Sequence, residues 1–201
     1  LLAALTGETT HSAPRDYVEN LFDNYASKFD ASLVDELDYQ IPKFVAEMIN
    51  SKNLESSLGS VLDLGCGTGL TGKEIGKYCD YLEGVDLSKS MLEQARRTNA
   101  YNKLIYRDIS DYLLVEELNF NYYVATDVFI YVGDLSNIFS LIKSRNKSCG
   151  KMVFSTEHTD KDTFVLEQSG RYSHSKKYIE GLCEKFNYSL CHFEYQKLRK
   201  E

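Results

Sequence analysis

Three glycines at alternate positions follow a short apolar run and precede a helix-like segment. Residues 60–64 have the character of a buried parallel strand, and Gly65, Gly67 and Gly69 come directly after it. Glycine permits a tight turn without a Cβ clash, and the free N–H groups at the start of a helix favour an anionic ligand group. The spacing therefore predicts a turn at which the backbone approaches a small ligand.

The position of the third glycine separates two classes of cofactor. A dinucleotide-binding turn of the G-x-G-x-x-G type needs its third glycine at position 70, where this chain has Leu70. The observed Asp-x-Gly-x-Gly-x-Gly pattern resembles motif I of class I S-adenosylmethionine (SAM)-dependent methyltransferases. The resemblance implies that SAM binds at Asp63, Gly65, Cys66, Gly67 and Gly69. A purely structural strand-to-helix turn is the alternative.

A second acidic residue stands at the interval at which such folds place a ribose partner. Asp86 ends the second predicted strand 21 positions after Gly65, close to the typical interval of about 20 residues. An ionised carboxylate offers two acceptor oxygens to the two ribose hydroxyls. Asp86 could instead cap the next helix, but Ser88 is the better capping residue. We therefore expect Asp86 to bind the ribose.

The resemblance implies further cofactor contacts on both sides of this turn. Asp108 and Ile109 would lie at the adenine, with Leu87 on the other face of the ring. Asp108 or Ser110 could instead simply cap a short helix.

The segment from Phe22 to Asp30 resembles the Y-A-x-x-[FY]-D element that folds over the cofactor in small-molecule methyltransferases. The resemblance implies that Tyr17 and Tyr25 touch the methionine part of SAM, although the same aromatic residues could simply pack in the core. Apolar residues recur mostly at intervals of three and four between Asp16 and Asn50, which predicts amphipathic helices.

Candidate residues for the acceptor of the methyl group follow the later strands. Asp127 occupies the position that faces the transferred methyl group in many enzymes of this fold, where it would act as a general base or orient the acceptor. A structural carboxylate at a strand end is the alternative. Tyr131 is a further catalytic candidate, within a segment that matches a narrower family described below.

Loops at the carboxyl ends of parallel strands line the crevice in open α/β sheets. Arg171, Tyr172 and His158 are therefore candidates for substrate binding, and Arg171 could pair with an acidic acceptor. His174 could accept a proton, because the unperturbed pKa of histidine lies near neutrality. Capping or surface roles are the alternatives for these residues.

Strands and helices alternate regularly after residue 60. The pattern predicts strands at 60–65, 81–86, 103–107, 121–127 and 151–156, helices at about 69–79, 89–98, 110–116, 134–145 and 175–186, and a final extended segment at 188–198. Such alternation indicates an α/β, Rossmann-like fold with a mostly parallel sheet and helices on both faces. The resemblance implies a seventh strand, which cannot be read before Glu201. We predict a linker or upstream remnant at 1–15 and a methyltransferase domain at 16–201, with a helical lid at 16–50 and an α/β core at 60–201.

The whole pattern is most similar to a narrower family, the predicted methyltransferases that often carry N-terminal tetratricopeptide repeats. The matching residues run from Leu1 through Leu198 and include 17–30, the glycine turn, 127–135 and 169–175. The resemblance implies an upstream repeat region that could make protein contacts.

Composition restricts the class of partner. The 201 residues, 43% of them hydrophobic, allow one domain with a substantial core. The net charge of −7 disfavours a nucleic-acid surface, and the local basic cluster of Lys143, Arg145, Lys147 and Lys151 is typical of a solvated helix end. Five cysteines without a C-x-x-C pair disfavour disulfides and zinc and favour the cytoplasm. No apolar segment approaches the length of about 18 residues that predicts a membrane span.

The sequence therefore predicts methyl transfer from SAM to an unidentified small molecule, with S-adenosylhomocysteine (SAH) as the product and without a metal. The main rival function is a non-catalytic module that keeps the SAM fold for binding or assembly. An NAD-linked oxidoreductase is disfavoured by Leu70. An aminopropyl-transferring enzyme of the same fold would need an acidic pocket for polyamines.

Overall fold

Five parallel strands form the central sheet of the computed structural model, which describes residues 2–26, 29, 39–52 and 57–196. The strands are β1 (Ser60–Leu64), β2 (Tyr81–Asp86), β3 (Lys103–Tyr106), β4 (Tyr122–Ala125) and β5 (Lys151–Phe154). They lie in the order β3-β2-β1-β4-β5. The chain therefore changes direction across the sheet between β1 and β4, and open α/β folds bind ligands at such a switch point.

Helices cover both faces of this sheet, which confirms the predicted fold class. They are α1 (Leu2–Thr6), α2 (Arg15–Tyr25), α3 (Ile41–Lys52), α4 (Leu70–Ile75), α5 (Lys89–Arg97), α6 (Ile109–Val115), α7 (Ser136–Arg145) and α8 (Lys176–Lys185), with 3₁₀ turns at Gly76–Tyr78 and Phe129–Tyr131. Side chains of β1 alternate between two cores. Leu62 and Leu64 pack with α6, α7 and α8, whereas Val61 packs with α3 and α4.

A second, smaller sheet follows the main one and was not predicted. Its strands are β6 (Glu157–His158), β7 (Phe164–Leu166) and β8 (Tyr172–His174); β8 is central, parallel to β6 and antiparallel to β7. The predicted extended segment at 188–198 forms no strand in its described part, residues 188–196, and is largely exposed there. The buried strand lies at β8 instead, and its three residues are too few to show a period.

Strand β4 ends two residues earlier than predicted, and the backbone of Asp127 explains why. Asp127 has a φ of +55°, in the left-handed region, which ends the extended chain. Its side chain is thereby turned toward the carboxyl edge of the sheet, where it lines the cavity described below.

The segment predicted as a linker, 1–15, packs in part against the loop that follows β4. The carbonyl of His11 accepts hydrogen bonds from the N–H groups of Gly133 (3.0 Å) and Asp134 (2.9 Å). The N–H of Ala13 donates to the carbonyl of Tyr131 (3.0 Å). These bonds fix the N-terminal segment beside the carboxyl edge of the main sheet.

Close packing at Gly84 of β2 yields a stability prediction. An added Cβ would lie 2.8 Å from Cδ2 of Leu104 and 2.9 Å from both Sγ of Cys66 and the ring of Tyr101. We expect Gly84→Ala to lower the free energy of unfolding by about 1–3 kcal/mol, measured by urea denaturation. Gly181→Ala is the control, since an added Cβ in that exposed helical position meets nothing within 4 Å and should stabilise by about 0.5–1 kcal/mol. Equal effects at the two positions would contradict the packing argument.

Candidate functional site

The carboxyl ends of β1 to β4 open into a cavity of about 790 Å³ beneath helix α2. That volume lies within the range of about 300–1,000 Å³ that is usual for small-molecule sites. The predicted site residues on its wall are Tyr25, Gly65, Cys66, Gly67, Asp86, Leu87, Asp108, Ile109, Asp127, Tyr131 and Arg171. The predicted site residues that do not line it are Tyr17, Asp63, Gly69, His158, Tyr172 and His174.

The glycine turn brings bare backbone to the cavity. Gly65 and Gly67 both have a positive φ, of +68° and +53°. A Cβ at Gly65 would lie 2.6 Å from Cγ2 of Val128, so a larger residue would collide with the loop after β4. A Cβ at Gly67 would meet nothing within 4 Å, so this turn is open where it faces the cavity.

Backbone N–H groups fix the carboxylate of Asp86 beside this turn. The N–H of Gly67 donates to Oδ2 of Asp86, and the N–H of Ser88 donates to Oδ1, both at 2.8 Å. Burial raises the pKa of Asp86 to about 6, although these backbone bonds oppose the shift. The group is therefore mainly ionised at pH 7, and each oxygen keeps a second lone pair for a ligand hydroxyl.

Asp63 lies beneath the turn rather than on the cavity wall. It is fully buried, and the hydroxyl of Tyr101 donates to its Oδ2 at 2.6 Å. Its Oδ1 has no hydrogen-bond partner among the described residues. Burial, with the nearby charge of Asp86, raises the pKa of Asp63 to about 7. A buried acceptor without a partner is rare in folded proteins and is consistent with a ligand-binding role for the turn.

The end of β3 supplies a second carboxylate to the wall. Oδ1 of Asp108 accepts from the N–H groups of Ser110 (2.8 Å) and Asp111 (3.2 Å), so Asp108 caps α6. It also lines the cavity beside Ile109, with Leu87 on the same wall. Capping and ligand binding are compatible here, because the cap uses Oδ1 alone.

Helix α2 covers the cavity and is tied to the core along one side. Its apolar side lines the cavity through Val18, Leu21, Phe22 and Tyr25. Three side chains spaced four residues apart attach the helix to neighbouring elements. Arg15 donates to Asp111 of α6 (2.8 Å), and Glu19 accepts from the hydroxyl of Tyr106 in β3. Asp23 accepts from Ser88 (2.5 Å) and Ser90 (3.1 Å) at the start of α5. Spacing by four places these groups on one face of the helix.

Tyr17 and Tyr25, the two tyrosines of α2 expected to touch the cofactor, differ in their position relative to the cavity. Tyr17 does not line the cavity and is more than a third exposed, although it lies within electrostatic range of Tyr131, which does line it. Tyr25 lines the cavity and packs edge-on to Phe29, with ring centroids 5.7 Å apart. Ser27, Lys28 and Asp30 of the same motif lie outside the described residues.

Asp127 lies at the opposite end of the wall from Asp108, in a network of hydroxyls. Ser155 Oγ accepts from the N–H of Asp127 (2.9 Å) and donates to its Oδ1 (3.2 Å). Tyr39 is buried on the cavity wall, within electrostatic range of Asp127. Burial, and then the charge of Asp127, raises the pKa of Tyr39, so its hydroxyl stays protonated. The sequence gives no local signal for Tyr39, whereas Thr126 could have been found beside Asp127 at the strand end.

Tyr131 and Arg171 form a pair at this same end. The Arg171 guanidinium lies within electrostatic range of the Tyr131 hydroxyl and donates from Nη1 to Oε1 of Glu157 at 3.0 Å. Phe22 packs edge-on to the Tyr131 ring, with centroids 5.3 Å apart. Burial raises the pKa of Tyr131, although Arg171 opposes the shift, and Asp127 lies within electrostatic range of both. The end of the cavity near Asp127 therefore holds both a cation and neutral hydroxyls.

Tyr172 does not contact the cavity, which corrects its expected role in substrate binding. It is fully buried in β8, and its hydroxyl lies 2.5 Å from Oγ1 of Thr10. The pairing of β8 with two neighbours turns this ring inward, where it contributes to packing and anchors the N-terminal segment.

The two candidate histidines also lie away from the cavity. His174 is buried, and its Nε2 bonds the carbonyls of Val132 (3.0 Å) and Gly133 (2.9 Å). Burial lowers the pKa of His174, so it remains neutral and fixes the loop that carries Tyr131 instead of reaching a ligand. His158 lies near the surface, with Nε2 3.0 Å from Asp160.

Three general features complete the description of the site. In the described part of the chain, no group of three or more His, Cys, Asp or Glu side chains could hold a metal ion. No helix there has the length and apolar character needed to cross a bilayer. All five cysteines belong to that part and are free thiols, and burial raises the pKa of the cavity-lining Cys66 well above its usual value.

Comparison with known proteins identifies the family. The methyltransferase domain family matches residues 55–199, which is most of the chain. The chain belongs to the methyltransferase domain family. An uncharacterised methyltransferase of Schizosaccharomyces pombe is 38% identical over 71 residues, which are 32% of this chain and 27% of that protein. The match therefore spans about a quarter of the length of that relative.

Two solved structures resemble this methyltransferase domain in fold. One is a complex of DhpI with SAH, with a TM-score of 0.63 and 18% identity, covering 89% of this chain and 88% of that one. The other is magnesium protoporphyrin IX methyltransferase from Synechocystis PCC 6803 with bound SAH, with a TM-score of 0.68 and 17% identity, covering 92% and 96%. At this level of identity the likeness shows the fold alone.

The buried carboxyl of Asp63 gives a prediction for the pH dependence of stability. Its folded pKa of about 7 exceeds the ordinary value of 3.8, so the stability that it contributes is present below about pH 4 and is lost as pH rises through 7. We expect Asp63→Asn to raise the free energy of unfolding at pH 8 by a few kcal/mol, at about 1.4 kcal/mol per pKa unit. The gain should shrink toward pH 4 in urea denaturation.

Asp80→Asn is the control for this prediction. Asp80 is exposed at the other end of β2, so its variant should show no gain that grows with pH. A loss of stability in Asp63→Asn that is equal at pH 5 and pH 8 would show that the carboxylate is structurally required.

The attachment of α2 gives a prediction for local opening. Asp23→Ala removes the acceptor for Ser88 and Ser90, and we expect amide hydrogen exchange across Arg15–Tyr25 to accelerate about tenfold. Asn24→Ala is the matched control, because that side chain donates only within the helix, to the carbonyl of Asn20. Equal exchange in both variants would show that Asp23 does not hold the lid.

Proposed function

We propose that this methyltransferase domain binds SAM in the cavity and transfers its methyl group to a small-molecule acceptor. The observation that carries the proposal is the Asp86 carboxylate, fixed by the N–H groups of Gly67 and Ser88 beside the glycine turn. A fixed acceptor carboxylate beside bare backbone suits a nucleoside with two ribose hydroxyls. The solved relatives that hold SAH support the same assignment.

The cavity residues fit the parts of SAM in order. Asp86 would bind the ribose, and the wall formed by Leu87, Ile109 and Asp108 would bind the adenine. The glycine turn would hold the methionine part, with Tyr25 above it. Asp63 would act from beneath the turn, where its Oδ2 accepts from the Tyr101 hydroxyl and its charge lies near Asp86.

The proposed reaction is a direct in-line displacement. The acceptor atom bonds to the methyl carbon, the methyl–sulfur bond breaks, and its electron pair stays on sulfur, which leaves as the neutral thioether SAH. Holding the two reactants at attack distance can supply about 7–11 kcal/mol, whereas a general base adds about 10²–10⁴-fold in rate. Positioning by the cavity is therefore the main contribution that this chain must make.

The lid and the residues near Asp127 would perform that positioning. Helix α2 excludes water from above through Leu21, Phe22 and Tyr25. Asp127, fixed by Ser155, would orient the acceptor or take its proton. Tyr131 is placed on the same wall and would contact the acceptor through its hydroxyl.

The surface supports a small molecule over a nucleic acid as the acceptor. The basic cluster is engaged locally: Arg145 donates to the carbonyls of Leu113 and Glu116, and Lys147 pairs with Glu117. Lys143 and Lys151 each lie over a tyrosine ring. These contacts leave no broad basic face for phosphates among the described residues.

The proposal also includes the subgroup of the family and the cellular compartment. The resemblance from Leu1 through Leu198 supports membership of the repeat-carrying subgroup and an upstream repeat region that contacts other proteins. Free thiols at all five cysteines support a reducing compartment such as the cytoplasm.

Calorimetric titration tests the donor site. We expect SAM and SAH to bind the wild-type protein and NAD not to bind, because Leu70 replaces the third glycine of a dinucleotide turn. Asp86→Ala should weaken SAH binding by roughly 10–100-fold, since it removes hydrogen bonds to a charged acceptor worth about 1.5–3 kcal/mol each.

Asp80→Ala provides the matched control, because it removes a carboxylate from the other end of β2, outside the cavity. Its SAH affinity should equal that of the wild type. Absence of SAH binding to the wild type, or equal affinity in Asp86→Ala, would overturn the assignment of the cofactor. Binding of SAM without methyl transfer to any acceptor of a broad panel would favour a non-catalytic binding module.

A further inference from the structure

We propose that the acceptor is a carboxylic acid with an apolar or aromatic body, and that Arg171 and Tyr131 bind its carboxylate. This inference rests on the proposed function and specifies the substrate class for the same cavity. One observation carries it: the guanidinium of Arg171 and the protonated phenol of Tyr131 lie together on the cavity wall. Near Asp127 this wall is otherwise largely aromatic and aliphatic.

Arg171 is the cation at this end of the cavity. Two cationic side chains line the cavity among the described residues, Arg15 and Arg171. Arg15 is about half exposed and donates to Asp111, near the adenine end of the wall. The Arg171 side chain is 30% exposed, so its charge is less screened by water.

The contacts of the Arg171 guanidinium orient it and leave some of its N–H donors for a ligand. Its Nη1 donates to Glu157 at 3.0 Å, and the Tyr131 hydroxyl lies within its electrostatic range on the same wall. Arginine has five N–H donors in a planar fork that matches the two oxygens of a carboxylate. The hydrogen bond to Glu157 therefore orients Arg171 and leaves N–H groups for a ligand.

Tyr131 adds a neutral donor beside this fork. Burial raises its pKa, so its hydroxyl remains protonated at neutral pH. Phe22 packs edge-on to the ring, and His174 holds the following carbonyls of Val132 and Gly133. Both contacts restrict the movement of Tyr131, so it is preorganised for an anion.

The rest of the wall indicates the body of the acceptor. The side chains nearest in the chain and fold are aromatic or aliphatic: Leu21, Phe22, Tyr25, Phe29, Tyr39 and Ile130. Such a wall favours apolar groups.

The carboxylate that this pair binds could belong to the acceptor or to the methionine part of the donor. The charged groups that act on Arg171 are Glu157 and Asp127, whereas Asp23 acts on Asp86. Arg171 thus belongs electrostatically to the Asp127 end, and we assign the carboxylate to the acceptor. The experiment separates the two sources.

The test measures binding of acids to the complex with SAH. The wild-type protein is saturated with SAH and titrated with 3-phenylpropionate and octanoate, and then with their amides, which keep the body and remove the charge. We expect both acids to bind at least about tenfold more tightly than the amides. Arg171→Met should weaken acid binding by about tenfold or more, and Arg171→Lys should restore part of it.

Arg107→Met is the matched control. Arg107 is also partly exposed, pairs with Glu116 and does not line the cavity, so its loss changes net charge alone. Its acid affinity should equal that of the wild type. Unchanged SAH affinity in Arg171→Met, with a normal unfolding transition, is expected and shows that this variant is folded.

Three results would overturn the inference. Equal binding of acids and amides, or binding of neither, would exclude an acid subsite. A loss of SAH affinity in Arg171→Met that matches its loss of acid affinity would assign the pair to the methionine carboxylate. Failure of SAH to bind the wild type would overturn the proposed function itself, and that failure is distinguishable because SAH is titrated first.

Discussion

Two buried carboxylates at the ends of adjacent strands are the constraint on which this structure depends. Asp63 of β1 and Asp86 of β2 are both removed from water, and burial raises the pKa of each. A charge in such a place costs stability unless hydrogen bonds compensate it. Tyr101 compensates Asp63 in part, and the N–H groups at Gly67 and Ser88 compensate Asp86. Asp86 lines the cavity and keeps a second lone pair on each oxygen for a ligand, whereas Asp63 lies beneath the turn with one oxygen uncompensated.

Ser88 contacts both Asp86 and helix α2. Its N–H donates to Asp86, while its Oγ donates to Asp23 of α2 and accepts from the N–H of Met91. One residue therefore caps α5, orients the proposed ribose ligand and holds the cover of the cavity. Movement of α2 away from the core must break the contacts of Asp23 with Ser88 and Ser90, so the position of α2 and the order around Asp86 are physically coupled through Ser88.

The elements that could be predicted are those whose signal is local. The five strands and the helices between them follow from apolar runs and capping residues, and the spacing of Gly65 and Asp86 suffices to bring them to one wall. Tyr39 could not be found, because its proximity to Asp127 brings together residues far apart in sequence and no pattern marks it. The short strand β8 was missed for a related reason. Tyr172 and His174 face inward because β8 pairs with β6 and β7, and three residues are too few to show the alternation of a strand in the sequence.

The division between predictable and unpredictable parts follows the two ends of the cavity. The end at Asp86 is built from strand ends and one turn, whose geometry recurs wherever a parallel sheet changes direction. The end at Arg171 is assembled from the N-terminal segment, the loop after β4 and the second sheet. Long-range bonds hold these parts together, such as those between Gly133 and His11 and between His174 and Val132. Similarity to solved structures at 17–18% identity shows the fold alone. The acceptor must therefore be deduced from the side chains of this chain, where a guanidinium beside a protonated phenol favours an acid.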